Sequence, residues 1–198
     1  MKFKLKKIAS IQMGYSFRTR LDFMDQGQIS VVQMKDLNDE NRVDCKGLMR
    51  VGMDTVKKHH LVRPGDIVFR SRGQVTTAAI LIEDPGPAVV AAPLLRIRVD
   101  QNVALSDYLV WYINHPSSQA LLSSRAKGTS LKMISKQALE SLEVTVPPIK
   151  KQRAIAELAA LASEEQRLLK KIAARRSDYI STNLMQLAVD DRHENKQI

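Results

Sequence analysis

Directly after Pro147-Pro148 the chain runs from Ile149 to about Val189 without a single glycine or proline. Roughly 40 residues without a breaker, at about 1.5 Å of rise each, make a rod about 60 Å long. Ordinary globular helices are about 11 to 12 residues long. Within the stretch Ile155, Leu158, Ala162, Leu169, Ile172 and Tyr179 keep a 3-4 alternation, interrupted by Glu165 and Arg176 and widened by Leu161 and Leu168. A helix bearing such a stripe is not stable alone in water and requires a partner surface. Two arrangements supply one: folding back on its own domain, or pairing with another chain. The length favours pairing, which makes residues 149–189 a dimerisation helix followed by a charged tail at 190–198 expected to fray.

The 148 residues ahead of this rod carry most of the charge. The net charge is +10, and dividing at Ile149 leaves 21 basic against 14 acidic residues before it, hence +7, and +3 after it. A basic surface favours a polyanion, because each neutralised phosphate releases counterions. The single cysteine, Cys45, excludes an internal disulfide framework and fits a reducing compartment. The basic N-terminus Met1-Lys2-Phe3-Lys4 is followed by neither a long apolar core nor a small-residue cleavage site, and no apolar run approaches a membrane span. The expectation is a cytoplasmic chain with no membrane association.

In chain order, Leu5, Ile8 and Ala9 have helical spacing, with Gly14 placed for a stop or turn. Tyr15-Ser16-Phe17-Arg18-Thr19-Arg20 alternates aromatic and basic residues, a mixture suited to nucleic acid and equally to a short edge strand. Ile29 to Met34 and Leu48 to Val51 read as strands around a polar loop at Lys35 to Asn41. His59-His60 tempts as a ligand pair, but adjacent side chains do not face one another, and no cysteine or carboxylate stands at ligand spacing. Val62-Arg63-Pro64-Gly65-Asp66 is a turn, with proline presetting the second position, glycine supplying positive φ at the third, and Asp66 a turn residue.

Ile67-Val68-Phe69 then launches a strand ending in Arg70-Ser71-Arg72-Gly73-Gln74, which puts two arginines on one face. Thr76 to Ile82, Val89-Val90 and Leu94 to Val99 continue the strand series, separated by Asp84-Pro85-Gly86-Pro87. Ser106 suits an N-cap for a helix carrying Trp111, and Pro116 divides that helix from a second one. Gly128-Thr129-Ser130-Leu131-Lys132 combines backbone N–H groups, hydroxyls and an ammonium, which equips it for phosphate while remaining compatible with a plain connecting loop. Ser135 caps a short helix, and Val144 to Val146 is a last strand. The pattern is α+β: a β-rich globular domain over residues 1–148 followed by one long helix.

Catalytic constellations do not emerge. The sequence has no G-x-G-x-x-G, no P-loop, no H-E-x-x-H and no Asn-Pro-Pro-aromatic run. Asp66 before a strand lacks the Glu-x-Lys of a nuclease. The chain reads as a binder, with no metal and no cofactor of its own.

Taken in order, several short runs resemble the DNA-specificity (S) subunits of type I restriction–modification systems. They are Leu5 to Gly14 followed by Ser16-Phe17, then Ile29-Ser30-Val31-Val32, then Leu61-x-x-Pro64-Gly65-Asp66-Ile67-Val68. Tyr108-Leu109, Gly128-Thr129-Ser130 and Ile134-Ser135 follow, and Leu142-x-Val144-x-Val146-Pro147-Pro148-Ile149-x-x-Gln152-x-x-Ile155 closes the series and is its most specific part. The resemblance implies a target recognition domain at 1–148 and a spacer helix that packs as an antiparallel coiled coil with a partner helix. It implies no catalysis by this chain. The implied partners are double-stranded DNA, methyltransferase (modification) subunits carrying S-adenosylmethionine, and a restriction subunit reached through them. Full-length members carry two recognition domains and two helices. This sequence has one of each and so resembles a half-length subunit, for which a homodimer would restore the arrangement.

Under that function the candidate DNA contacts are Arg18, Arg20, Lys35, Arg70, Arg72, Gln74, Lys127, Thr129 and Lys132. Arginine and glutamine suit base edges, while lysine and threonine suit phosphates. The competing reading is an assembly protein whose helix docks other subunits and whose charge is incidental.

Overall fold

The computed structural model describes residues 1–17, 27–53, 56–73, 76–126 and 133–194, with side chains described as far as residue 189. The chain divides into two compact units, Met1–Ala156 and Glu157–Ile198.

The first unit is built on a four-stranded sheet in the order β2-β8-β5-β6, formed by β2 (Ala9–Met13), β8 (Leu94–Val99), β5 (Ile67–Arg70) and β6 (Ala78–Ile80), all paired antiparallel. Alternation decides how each strand is used. Ile11, Ile67, Phe69, Leu95 and Ile97 point to one face, where they meet α1 (Ser106–Asn114), α2 (Pro116–Ser124) and α3 (Lys136–Glu140) in the largest core. Val68, Ala79 and Leu94 point to the other face, toward a three-stranded sheet of β4 (Met49–Val51), β3 (Ile29–Val32) and β7 (Ala88–Val90). β3 runs antiparallel to β4 and parallel to β7. A third pairing joins β1 (Lys2–Lys4) to β9 (Glu143–Thr145), so the N-terminus lies beside the segment that leads into the rod.

The expected helix at Leu5, Ile8 and Ala9 is not formed. Leu5–Lys7 is a single 3-10 turn, and Ala9 begins β2. Three apolar positions make too short a run for periodicity to decide, and pairing of the whole of β2 with β8 satisfies more backbone than an isolated turn would. Gly14 serves close packing rather than a helix stop: a Cβ there would lie 2.6 Å from the Ala91 carbonyl carbon.

The Arg63–Asp66 turn has the expected form. Gly65 has φ +85°, and the Asp66 N–H donates to the Arg63 carbonyl at 3.0 Å. Pro116 divides α1 from α2: His115 before it is extended (ψ 138°), and the proline occupies the first turn of α2, where its missing N–H costs nothing. Ser135 caps α3, its hydroxyl accepting from the Ala138 N–H. Ser106 does not cap α1 as expected. It is the first helical residue, and its hydroxyl donates to the Gly65 carbonyl at 2.6 Å, tying α1 to the turn. The strand expected over Thr76 to Ile82 contracts to Ala78–Ile80, and ahead of it the Thr76 hydroxyl donates to Gln119 at 2.9 Å. Trp111 is half-buried at the core's edge with Tyr108, Tyr112 and His115 around it.

The rod is α4 (Ile149–Glu194), 46 residues in one helix. Its first two turns belong to the globular unit. Gln152 is fully buried: its carbonyl oxygen accepts from the Leu105 N–H at 2.9 Å, and its amide donates to the Val103 and Pro147 carbonyls at 3.1 and 2.8 Å. Ile155 packs on the main core. β9, just ahead, is held by the Tyr108 hydroxyl, which donates to the Thr145 carbonyl at 2.5 Å. From Leu158 onward the large apolar side chains of the helix are exposed within their own unit: Leu158 and Leu161 are each 69% exposed, Ile172 62% and Tyr179 71%. No described helix is long and apolar enough to cross a membrane.

Candidate nucleic-acid interface

Of the nine residues expected to touch DNA, Lys35, Arg70 and Arg72 lie within the described residues, whereas Arg18, Arg20, Gln74, Lys127, Thr129 and Lys132 lie outside them. The fold brings Lys35 and Arg70 together. Lys35 is exposed in a 3-10 turn, Met34–Asp36, fastened by a capping box between Gln33 and Asp36. Burial raises the Asp36 carboxyl above its ordinary value, against the lowering effect of the Gln33 N–H. Arg70 ends β5 beneath this turn, half-buried, and its Nη2 donates to the Met34 carbonyl at 2.9 Å. One edge of its guanidinium is therefore used to hold the turn that presents Lys35. Arg72, two residues on, is exposed and forms an antiparallel bridge with Met133, while the Ser71 carbonyl accepts from the Ile134 N–H at 2.8 Å. The C-terminal end of β5 thus gathers three cations, one of which is engaged structurally.

At the opposite end of β5 sits Asp66, 1% exposed. It is more than the expected turn residue. Its two oxygens accept from Arg98 Nε and Nη2 at 2.7 and 2.6 Å, and Oδ2 also accepts from the Arg63 N–H at 3.0 Å. Arg96 Nη1 stands 3.8 Å away, an ionic contact, while Arg96 Nη2 donates to Gln12. A β8 strand carrying Arg96 and Arg98 on one face can be buried there only because Asp66 meets both. The two arginines respond differently. The hydrogen bond to Asp66 raises the Arg98 guanidinium above its usual value, whereas burial, reinforced by Arg98, lowers that of Arg96.

The same face holds an aromatic row, in which Tyr15 and Phe17, already singled out in the sequence, are joined by the His59-His60 pair, whose part in it sequence reasoning missed. Phe17 and Tyr15 have ring centroids 4.9 Å apart, Tyr15 and His60 5.4 Å, and His60 and His59 4.3 Å. The expectation that adjacent histidines do not face one another fails here, because the 3-10 turn Lys58–His60 tilts the two rings to 45° against each other. His60 lies 3.4 Å from Gln12, and burial followed by the neighbouring His59, Lys57 and Arg96 lowers its pKa below the ordinary histidine value. The available signal was compositional: Lys57-Lys58-His59-His60-Leu61-Val62-Arg63 carries five basic or imidazole side chains and no acid. Among the described residues no three His, Cys, Asp or Glu side chains are grouped to hold a metal ion.

Residues 1–173 match the family model Methylase_S, described as the type I restriction modification DNA specificity domain. Solved structures share the fold. The HsdS subunit from Thermoanaerobacter tengcongensis aligns with a TM-score of 0.60 at 18% identity over 84% of this chain and 37% of its own length. A chain from a structure on complex assembly and conformational transition of the type I R-M system aligns at 0.67, with 18% identity over 88% of this chain and 41% of its own length. The type I restriction-modification S subunit from M. genitalium gives 0.55 and 13% over 86% of this chain, again 41% of its own length. The chain therefore spans about two fifths of the length of these solved proteins. No curated protein matches it. A family model that begins in β1 and runs unbroken through both sheets into the rod covers the β-rich unit and the helix as one module, and the chain belongs to the type I restriction-modification DNA specificity domain family.

Proposed function

We propose that this chain is a sequence-specific DNA recognition module that reads one half-site and pairs through α4 with a second copy. The paired module recruits DNA-adenine methyltransferase subunits, and through them a restriction subunit. The observation that carries this reading is the specificity-domain match over residues 1–173, which takes in the globular unit and the first half of the rod together. Two features support it. The globular residues ahead of Ile149 hold a net charge of +7, the sign required to bind phosphates. The stripe from Leu158 through Leu161, Leu169, Ile172 and Tyr179 is exposed, with Ala162 among it, as a helix awaiting an antiparallel partner would be. Chemistry belongs to the methyltransferase in this scheme, which supplies S-adenosylmethionine, while this chain supplies address and geometry. Two identical copies related by a two-fold axis favour a target with symmetric halves.

If α4 is a ruler, its length sets the spacer. Inserting one heptad after Ile172 lengthens an antiparallel pair by about 10 Å. The preferred spacer between half-sites is then expected to grow by roughly 3 base pairs, at about 3.4 Å each. Selection of bound duplexes from a library randomised in spacer length reads this directly. An unchanged spacer would leave a dimer without a ruler, and equal binding of selected and random DNA would remove the recognition function itself.

A further inference from the structure

We propose that the strip Lys57 to Arg63 is a second DNA contact, a ridge that grips backbone phosphates and stands apart from the cluster at the C-terminal end of β5. The inference rests on the DNA-recognition reading and locates an additional part of its surface.

Lys57, Lys58, His59 and Arg63 are all exposed, and the seven residues contain no acid. Among the described residues, neither Lys57, Lys58 nor Arg63 makes an ion pair. The nearest described carboxylate in the sequence, Asp66, is buried and consumed by Arg98 and the Arg63 N–H, so it does not neutralise the outward charges. Burial first, and then His59, Lys57 and Arg96 around it, disfavour the protonated form of His60.

A run of solvated lysines is ordinarily a mobile surface. This one is closed by its own turn and fastened to the sheet at Leu61 and Val62. The His60 N–H donates to the Lys57 carbonyl at 2.8 Å, and Leu61 bridges Val89. Its carbonyl accepts from Arg98 Nη2 at 3.0 Å, and the Val62 N–H donates to the Ala88 carbonyl at 2.9 Å. Within the strip the His60 ring also packs edge-on against Tyr15, which in turn meets Phe17. A backbone already ordered loses little further freedom on binding, which is what a positioning contact for a rigid duplex requires. Lysines at adjacent positions with an arginine five residues on suit the distributed charge of a phosphate backbone and offer no fixed fork for a single base.

The test compares the full chain with Lys57→Gln/Lys58→Gln and Lys57→Glu/Lys58→Glu, each with its methyltransferase partner, on duplexes with and without the methylated motif. Melting temperatures check that folding is intact, as expected for exposed side chains. Both variants are expected to bind both duplexes more weakly by the same factor, on the order of tenfold for the glutamine pair at physiological salt, leaving discrimination unchanged. The slope of log affinity against log salt should fall by about 1.8, the value for two lost phosphate contacts. An unchanged slope overturns the inference, as does loss of methyltransferase binding with DNA affinity intact, which would assign the strip to an acidic protein surface. If the unmodified chain fails to discriminate between the duplexes, the recognition reading fails instead, and the salt slope still judges the ridge.

Discussion

Asp66→Ala is expected to destabilise the globular unit by about 3–5 kcal/mol, the cost of removing one partner from a buried ion pair. The carboxylate is 1% exposed and meets two arginines, of which Arg96 is itself buried and Arg98 a quarter exposed. Without Asp66, among the described residues Arg98 keeps only the Leu61 carbonyl and Arg96 only Gln12. Two like charges are then left side by side on β8 in a poorly hydrated place. For a unit of this size such a loss lowers the melting temperature by about 10 °C. Chemical denaturation gives the same quantity as a shift in midpoint with little change in slope. Asp66→Asn separates charge from shape: it preserves the volume and part of the hydrogen bonding, and a loss approaching that of alanine would identify the charge as decisive. A change below about 0.5 kcal/mol, the range of ordinary surface substitutions, would contradict the ion-pair account.

The second large effect is expected at the root of the rod. Gln152→Leu keeps volume but strands the Leu105 N–H and the Val103 and Pro147 carbonyls. Buried groups left without partners cost about 1–3 kcal/mol each, so three of them total about 3 kcal/mol or more. The consequence is also local. Leu105 is the residue before α1, and Pro147 lies two residues ahead of α4, so this one side chain fastens the helix to the loop that starts α1. Amide hydrogen exchange at Leu105 should accelerate in Gln152→Leu ahead of global unfolding, and helix content should stay near that of the parent. Exchange at Leu105 that matched the parent would show that the glutamine is not the fastening.

The rod was legible because its evidence is local: no breaker after Pro148 and a repeating apolar stripe. The Arg63–Asp66 turn, the division at Pro116 and the Ser135 cap were legible for the same reason, since each depends on the conformational limits of one or two residues. What escaped depends on partners far along the chain. Leu5 to Ala9 carries a helical spacing, yet β2 is fixed by β8, more than 80 residues away. Asp66 looks like a turn residue until Arg98 is folded against it, 32 residues on. Gln152 carries no sequence sign of burial, and its partners lie 47 and 49 residues back and at Pro147. Similarly, Arg70 and Arg72 share a strand face in sequence, but only Arg72 is exposed, because the turn over Met34 claims Arg70. Ile155 opened the apolar stripe in sequence, while in the fold it packs on its own domain and the exposed stripe begins at Leu158.

A cut after Pro148 would remove Gln152 and Ile155 from the globular unit, whose compact limit is Ala156. A recognition domain intended to stand alone should therefore end beyond Ala156, and loss of DNA affinity in a shorter piece would report unfolding.

The central claim is that this chain gives a methyltransferase its DNA address. Mapping methylated adenines in host DNA with and without the chain tests it most directly. The account predicts a two-part motif with symmetric halves that is methylated only when the chain is present. A methylation pattern indifferent to the chain would contradict it.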